Sequence, residues 1–251
     1  MAKVLDIYRL IDGFAPFDLQ EDYDNSGLVV GGYQSEVKRV LLALDITNSV
    51  ADEAVQKGYD LVISHHPVIF NGLKLLSPQN PAVILATNGI NALCIHTNFD
   101  IANGGMNDLL CERLGLTPTE ALCDDGFGYV CNCDEIMPEV LAKKVKQALG
   151  NRVVRYIDTG KAIRRIAVCS GSGGNFLPCA IAKNADAYIT GDVKHDIFID
   201  GFNNDVCVLD AGHFYTENIF FDYIKGKLTD AFPELEIAVA DSNRDVVSYE
   251  I

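Results

Sequence analysis

The sequence lacks several features that mark particular classes of protein. It has no unbroken apolar run of about eighteen residues, the length of a membrane span, so no span is expected. Its first residues, MAKVLDIYRLIDGF, are interrupted by Asp6, Arg9 and Asp12 and do not form the apolar core of a signal peptide. Basic residues are scarce, with 20 Lys and Arg against 35 Asp and Glu and a formal net charge of -15. The densest basic cluster is Lys161, Arg164 and Arg165. An acidic surface of this kind repels phosphate backbones, so nucleic acid is not an expected partner. A small anion stays acceptable where bound metal ions supply local positive charge. Eight cysteines (Cys94, Cys111, Cys123, Cys131, Cys133, Cys169, Cys179 and Cys207) are scattered and include no Cys-x-x-Cys pair. They read as reduced, mostly buried thiols of a cytoplasmic protein. Cys131 and Cys133 could share a strand face and bind a soft metal, but no His or Cys stands beside them to complete a set.

What is present fits a globular chain. Hydrophobic residues make up 49% and charged residues 22% of 251 positions, enough for one large domain or two small ones. Val4, Ile7, Tyr8, Leu10 and Ile11 recur at helical spacing, and this first helix is expected to end near Gly13 and Pro16. Val37 to Leu44 reads as a strand, and Asn48 to Lys57 as a helix closed by Gly58. Leu61 to Ile63 is a short buried strand running into Ser64-His65-His66-Pro67. Pro81 to Thr87 reads as a helix with Pro at its first turn, and Ala92 to Ile95 as a buried strand leading to His96. Helices are expected over Gly105 to Leu114 and Pro138 to Leu149, and strands over Arg152 to Ile157 and Ile163 to Cys169. The second half continues with a turn at Ser170 to Gly174, a helix from Asn175 to Lys183 and a strand from Ala187 to Thr190. It closes with strand Val206 to Leu209, one long helix from Tyr215 to Leu228 and strand Ile237 to Ala240. Strands alternating with helices predict an α/β fold of two α/β/α-type units with mixed, largely parallel sheets. The units are drawn as 1–124 and 125–251, with a metal site at their junction.

Only five histidines occur, and His65, His66, His96 and His213 each stand just beyond a predicted buried strand. His195 follows one within a few residues. Ligand sites of open α/β sheets lie outside the carboxyl ends of strands. Asp100 stands four residues after His96 and Glu217 four after His213; if Glu217 lies in the first turn of the long helix, it can face the same way as His213. His65, His66, Asp100, His213 and Glu217 are therefore candidate ligands for two divalent ions. Mixed imidazole and carboxylate donors suit Zn, Mn, Fe or Co better than Mg or Ca. An open pair bridged by a carboxylate lowers the pKa of bound water and yields a nucleophile at neutral pH. Each residue also has a plain reading: loop histidines in solvent for His65 and His66, a hydrogen-bonded core residue for His96, a helix cap for His213 and Glu217. Ser170, Gly171, Gly173 and Gly174 lie between a strand and a helix and could present amides to a phosphate, or simply form a tight turn.

At these residues the sequence resembles the Nif-three-like family (Ngg-interacting factor three homologues), known also as the GTP cyclohydrolase I type 2 family. The matching stretches are DYDNSGLVVG (Asp22 to Gly31), SHHP (Ser64 to Pro67) and HTNFDIANGGMND (His96 to Asp108). GSGG (Gly171 to Gly174), TGD (Thr190 to Asp192) and DAGHFYTE (Asp210 to Glu217) follow in the family's order. The resemblance implies His66 and Asp100 on one ion, His65 and His213 on the other, and Glu217 bridging. It makes His96 a residue behind the ligands or facing substrate. It also implies two α/β domains, a toroidal homohexamer built as a trimer of dimers, and the short form without an inserted domain.

Three functional readings follow. One is a dinuclear metal-dependent hydrolase that opens the imidazole ring of GTP, with His96 or Asp192 moving protons. Another is a metal-dependent phosphoesterase acting on nucleotides. The last is a non-catalytic metal-binding scaffold or regulatory protein.

Overall fold

The computed structural model describes residues 1–250. The chain begins with β1 (Ala2–Lys3), α1 (Val4–Phe14), β2 (Gly27–Val30), β3 (Glu36–Val37), β4 (Arg39–Ala43), α2 (Asn48–Lys57) and β5 (Leu61–Ser64). It continues with α3 (Pro81–Thr87), β6 (Asn91–Cys94), α4 (Thr97–Ile101), α5 (Met106–Leu114), β7 (Pro118–Ala121), β8 (Tyr129–Ile136), α6 (Pro138–Leu149) and β9 (Arg155–Tyr156). It finishes with β10 (Ile163–Val168), α7 (Leu177–Ala182), β11 (Ala187–Thr190), α8 (His195–Asn203), β12 (Cys207–Asp210), α9 (His213–Glu217), α10 (Phe221–Ala231) and β13 (Glu236–Val239).

The chain divides into two compact units. The first comprises Met1–Ala102 and Phe220–Val246; the second comprises Asn103–Ile219 and the tail from Val247. The division differs from a single cut after residue 124. Residues 103–124 belong to the second unit, and the chain returns to the first because β13 pairs in parallel with β4.

The first unit is built on a five-stranded sheet ordered β13-β4-β5-β6-β2, parallel except for β2. Every residue of β5 and β6 is buried, as expected of central parallel strands covered on both faces. On one face Leu41, Ala43, Val62 and Ala92 form a core with Val50, Ala51 and Ala54 of α2 and Ala82 and Leu85 of α3. Strand alternation turns Val40, Leu42, Ile63 and Leu93 to the opposite face, and all four are wholly buried. Thr47 caps α2 by accepting from the Val50 amide, and Asn80 caps α3 by accepting from Ala82. Ser64 of β5 pairs with Cys94 of β6, and the Ile95 amide donates to the Ser64 carbonyl. This register brings the two strands out level, so residues 65–66 and 96 emerge side by side.

The second unit has a six-stranded sheet ordered β7-β8-β10-β11-β12-β9. Only β10, β11 and β12 run parallel; β7, β8 and β9 are antiparallel flanks. Both sheets are therefore mixed and partly parallel. Val168, Ile189, Leu209 and Ala211 join Leu110, Leu141 and Val145 from α5 and α6 in its core. Thr190 pairs with Asp210, so β11 and β12 also end level, ahead of Asp192 and His213.

Several elements differ from the sequence expectation. The single helix expected over Tyr215 to Leu228 is two helices, α9 and α10. The Ile219 amide turns back to the Glu217 carbonyl at 2.7 Å, closing the backbone too tightly for a helix to continue. The break falls where the chain passes from Ile219, packed on the second core, to Phe220 of the first unit. The strand expected from Arg152 shrinks to Arg155–Tyr156, which pair with Asp210 and Leu209 of β12. The expected helix from Asn175 begins as a short 3-10 turn, Gly174–Phe176, before α7. Strands β2, β7 and β8 and helices α4 and α8 were not anticipated. None of the eight cysteines forms a disulfide, and six are buried. Cys131 lies on β8 with its sulfur 3.9 Å from that of Cys111, and Cys133 points to the Ile163 carbonyl. Neither joins a group of metal donors among the described residues. No helix among them is long and apolar enough to cross a membrane.

Candidate metal centre

The donor set of the first unit grows out of β5 and β6. The chain leaves β5 through Ser64, whose hydroxyl donates to the His66 carbonyl at 2.7 Å and fixes the exit. His65 is wholly buried, and its Nδ1 lies 2.8 Å from the Ile95 carbonyl. A carbonyl can only accept, so Nδ1 carries a proton and Nε2 is the nitrogen turned toward the other donors. His66 repeats this with Asp45, two residues beyond β4, 2.7 Å from its Nδ1. His96 repeats it with Asp24, again at 2.7 Å. Burial alone would raise the pKa of Asp24, but hydrogen bonds from His96, Thr97 and Ser26 outweigh it and hold the carboxyl well below its ordinary range. Donor atoms of His65, His66 and His96 all fall within 4.8 Å of one another. Buried Asp100, in the first turn of α4, places Oδ1 3.6 Å from His65 Nε2. The pairing seen here is thus His65 with Asp100, where the resemblance assigned His66 to that carboxylate.

The second unit holds a second set. His213 opens α9 and Glu217 closes it, one helical turn apart on the same face. His213 Nδ1 lies 2.8 Å from Asp192 and its Nε2 2.9 Å from Glu217 Oε2. Burial would depress the imidazole pKa, but the hydrogen bonds and charges of Asp192 and Glu217 prevail and push it up to about 11. A proton held between two carboxylates marks a place built for a cation. Asp192 takes a left-handed backbone, φ 52°, to reach this position.

The turn before α7 serves this set by being thin. Gly171 has φ +59°, and a Cβ there would stand 2.1 Å from Glu217 Oε1 and 3.4 Å from His213 Nε2. Gly191 has the same kind of role, since its Cβ would meet the His213 amide at 2.6 Å. The amides of Ser170, Gly171 and Gly173 donate to Asn107, Thr216 and Thr190. Ser170, Gly171, Gly173 and Gly174 therefore form a packed turn whose absent side chains admit Glu217. Three of its amides donate to protein partners.

The structure thus gathers His65, His66, His96 and Asp100 in one unit, and His213, Glu217 and Asp192 in the other. Exposed His195 opens α8 and enters neither set. Sequence reading missed Asp24 and Asp45. Asp45 stands two residues beyond β4 and so obeys the strand-end rule; Asp24 lies within the DYDNSG stretch and carried no signal of its own. Both sets suit a divalent ion. Each of these imidazoles has an acceptor at Nδ1, the usual support behind metal-ligating histidine. A buried carboxylate stands with each.

Fold and sites define a two-unit α/β protein with imidazole–carboxylate donor sets at the carboxyl ends of its strands. The chain belongs to the Duf34/NIF3 (NGG1p interacting factor 3) family, which it matches over residues 2–245. A Lactococcus lactis protein named GTP cyclohydrolase 1 type 2 homolog is 37% identical over 235 residues, covering 90% of this chain and 91% of that one. A Helicobacter pylori protein named GTP cyclohydrolase 1 type 2 is 32% identical over 224 residues, covering 88% and 89%. The crystal structure of a Bacillus cereus protein related to NIF3 superposes with a TM-score of 0.91 over 99% of both chains at 22% identity, a likeness of fold.

Proposed function

We propose that the protein is a dinuclear metal-dependent hydrolase whose reaction is the opening of the imidazole ring of GTP. The observation that carries this reading is the repeated support of imidazoles at Nδ1, by the Ile95 carbonyl for His65, Asp45 for His66 and Asp192 for His213. The names of the Lactococcus and Helicobacter relatives support the substrate class.

In this reading the two donor sets serve one centre. His65 and Asp100 would hold one ion, His66 and His213 the other, and Glu217 would contribute to both. Bound divalent ions supply Lewis acidity and an activated water at neutral pH. Asp45 and Asp192 keep His66 and His213 oriented. His96, held by Asp24, is the proton carrier nearest the ligands, and Asp192 acts through His213. The metal identity lies within the Zn, Mn, Fe and Co group that these donors favour. A cytoplasmic location and a toroidal hexamer accompany the reading; sedimentation of the purified protein tests the assembly.

The deciding assay is formate release from GTP by protein loaded with each metal, against the metal-depleted form. Metal-dependent formate supports ring opening. Inorganic phosphate without formate would replace it with phosphoester hydrolysis. Absence of turnover, with a lower melting temperature on metal removal, would leave a structural metal site.

A further inference from the structure

We propose that Tyr23 and Phe70 form a stacking notch for a planar heterocycle beside His96, an inference that rests on the reading of the substrate as a nucleotide or related ring. Two loops of the first unit build it. The loop before β2 carries Tyr23 and also Asp24, which orients His96. The loop after His66 carries Phe70. Asn25 Nδ2 donates to the Ile69 carbonyl at 2.6 Å and ties the two loops together next to both rings.

Both rings face outward although each is large and apolar. Tyr23 is 62% exposed and Phe70 44%. An isolated exposed aromatic needs no explanation, but these two rings lie against each other and Phe70 also meets His96. Their centroids lie 6.4 Å apart at 50°, and the Phe70 ring meets His96 edge-on, 6.0 Å away at 80°. The His96 ring in turn lies 5.3 Å from that of His65 and 5.5 Å from that of His66. A flat ring resting on Tyr23 and Phe70 would thus abut the imidazole cluster.

Charge selects which end of a nucleotide sits here. Glu21 and Asp22 directly precede Tyr23 and Asp24 follows it, and these carboxylates disfavour a polyphosphate at this edge. The base therefore occupies the notch, and the phosphates lie away from it. Aromatic faces accept any flat π system, so the notch sets the class of ring and not its identity.

The chain contains no tryptophan, so Phe70→Trp introduces a single indole reporter at the notch. Zinc-loaded Phe70→Trp protein is titrated with guanosine, adenosine and ribose 5-phosphate while indole fluorescence is read. A saturable change with the nucleosides and none with ribose 5-phosphate is expected. Adding Tyr23→Ala should weaken nucleoside binding by about tenfold, the upper end of one ring–ring contact. No saturable response to either nucleoside, an equal response to ribose 5-phosphate, or no effect of Tyr23→Ala would each overturn the notch. Melting temperatures of both variants confirm that they fold, since both positions are exposed. The titration needs no turnover, so a failure of the formate assay and a failure of the notch are read separately.

Discussion

At the scale of single residues, the account rests on what stands behind each histidine. Asp45 and Asp192 act through His66 and His213. Replacing either by Asn keeps the shape but exchanges a pure acceptor for an amide that can present a donor, weakening its hold on the ring. Asp45→Asn and Asp192→Asn should each lower metal affinity by about 10- to 100-fold. Competition with a chromogenic chelator measures this. Gly171→Ala should be harsher. Its Cβ would overlap Glu217 Oε1, and its backbone is left-handed, so a stability loss of about 1–3 kcal/mol is expected together with loss of the ion that Glu217 holds. In the metal-free protein the His213 pKa is raised from 6.5 to about 11. A raised imidazole pKa contributes stability that is complete below pH 6.5 and disappears as pH rises through 11. Metal-free wild-type protein should therefore lose its melting-temperature advantage over His213→Gln across that interval. Loading the ion must displace this proton, so titration with zinc in weak buffer should acidify the solution.

At the scale of elements, strand ends did most of the positioning. The parallel register of β5 with β6, and of β11 with β12, brings four histidines and their carboxylates out at level exits. This much was legible from sequence, because a short apolar run followed by His or Asp is a local pattern. The break between α9 and α10 was not, because it follows from which core receives Ile219 and which unit receives Phe220. The β7–β8 hairpin was equally hidden, since β8 is half-exposed along its outer half and shows little apolar alternation. The GSGG turn was legible as a turn, but its purpose was not: only the approach of Glu217 explains Gly171. Another element-scale contact fastens the C-terminal return. Glu53 of α2 accepts from the amides of Asp241 and Ser242, the Ser242 hydroxyl and Lys57 Nζ. Burial alone would raise its pKa, but the hydrogen bonds from Lys57 and Ser242 outweigh it and lower the value from 4.5 to about 2. A depressed carboxyl stabilises above its unfolded pKa and loses that contribution as pH falls through its folded value. Glu53→Gln should cost about 2 kcal/mol at neutral pH, an amount reduced because Lys57 is half-exposed. Thermal melts of the two proteins should converge as pH falls from 4.5 towards 2.

At the scale of the whole molecule, the first unit is discontinuous and the second is largely an insertion between Ala102 and Phe220. Each unit supplies an imidazole–carboxylate donor set of its own. The net charge of -15 makes bound cations the natural way to admit an anionic nucleotide. The central claim is that Glu217 joins the two sets into one centre. Electron paramagnetic resonance of protein loaded with two Mn equivalents per chain tests it directly. The account predicts the broad signal of an exchange-coupled pair, lost in Glu217→Gln. Hyperfine-resolved signals of isolated Mn at full loading would contradict it.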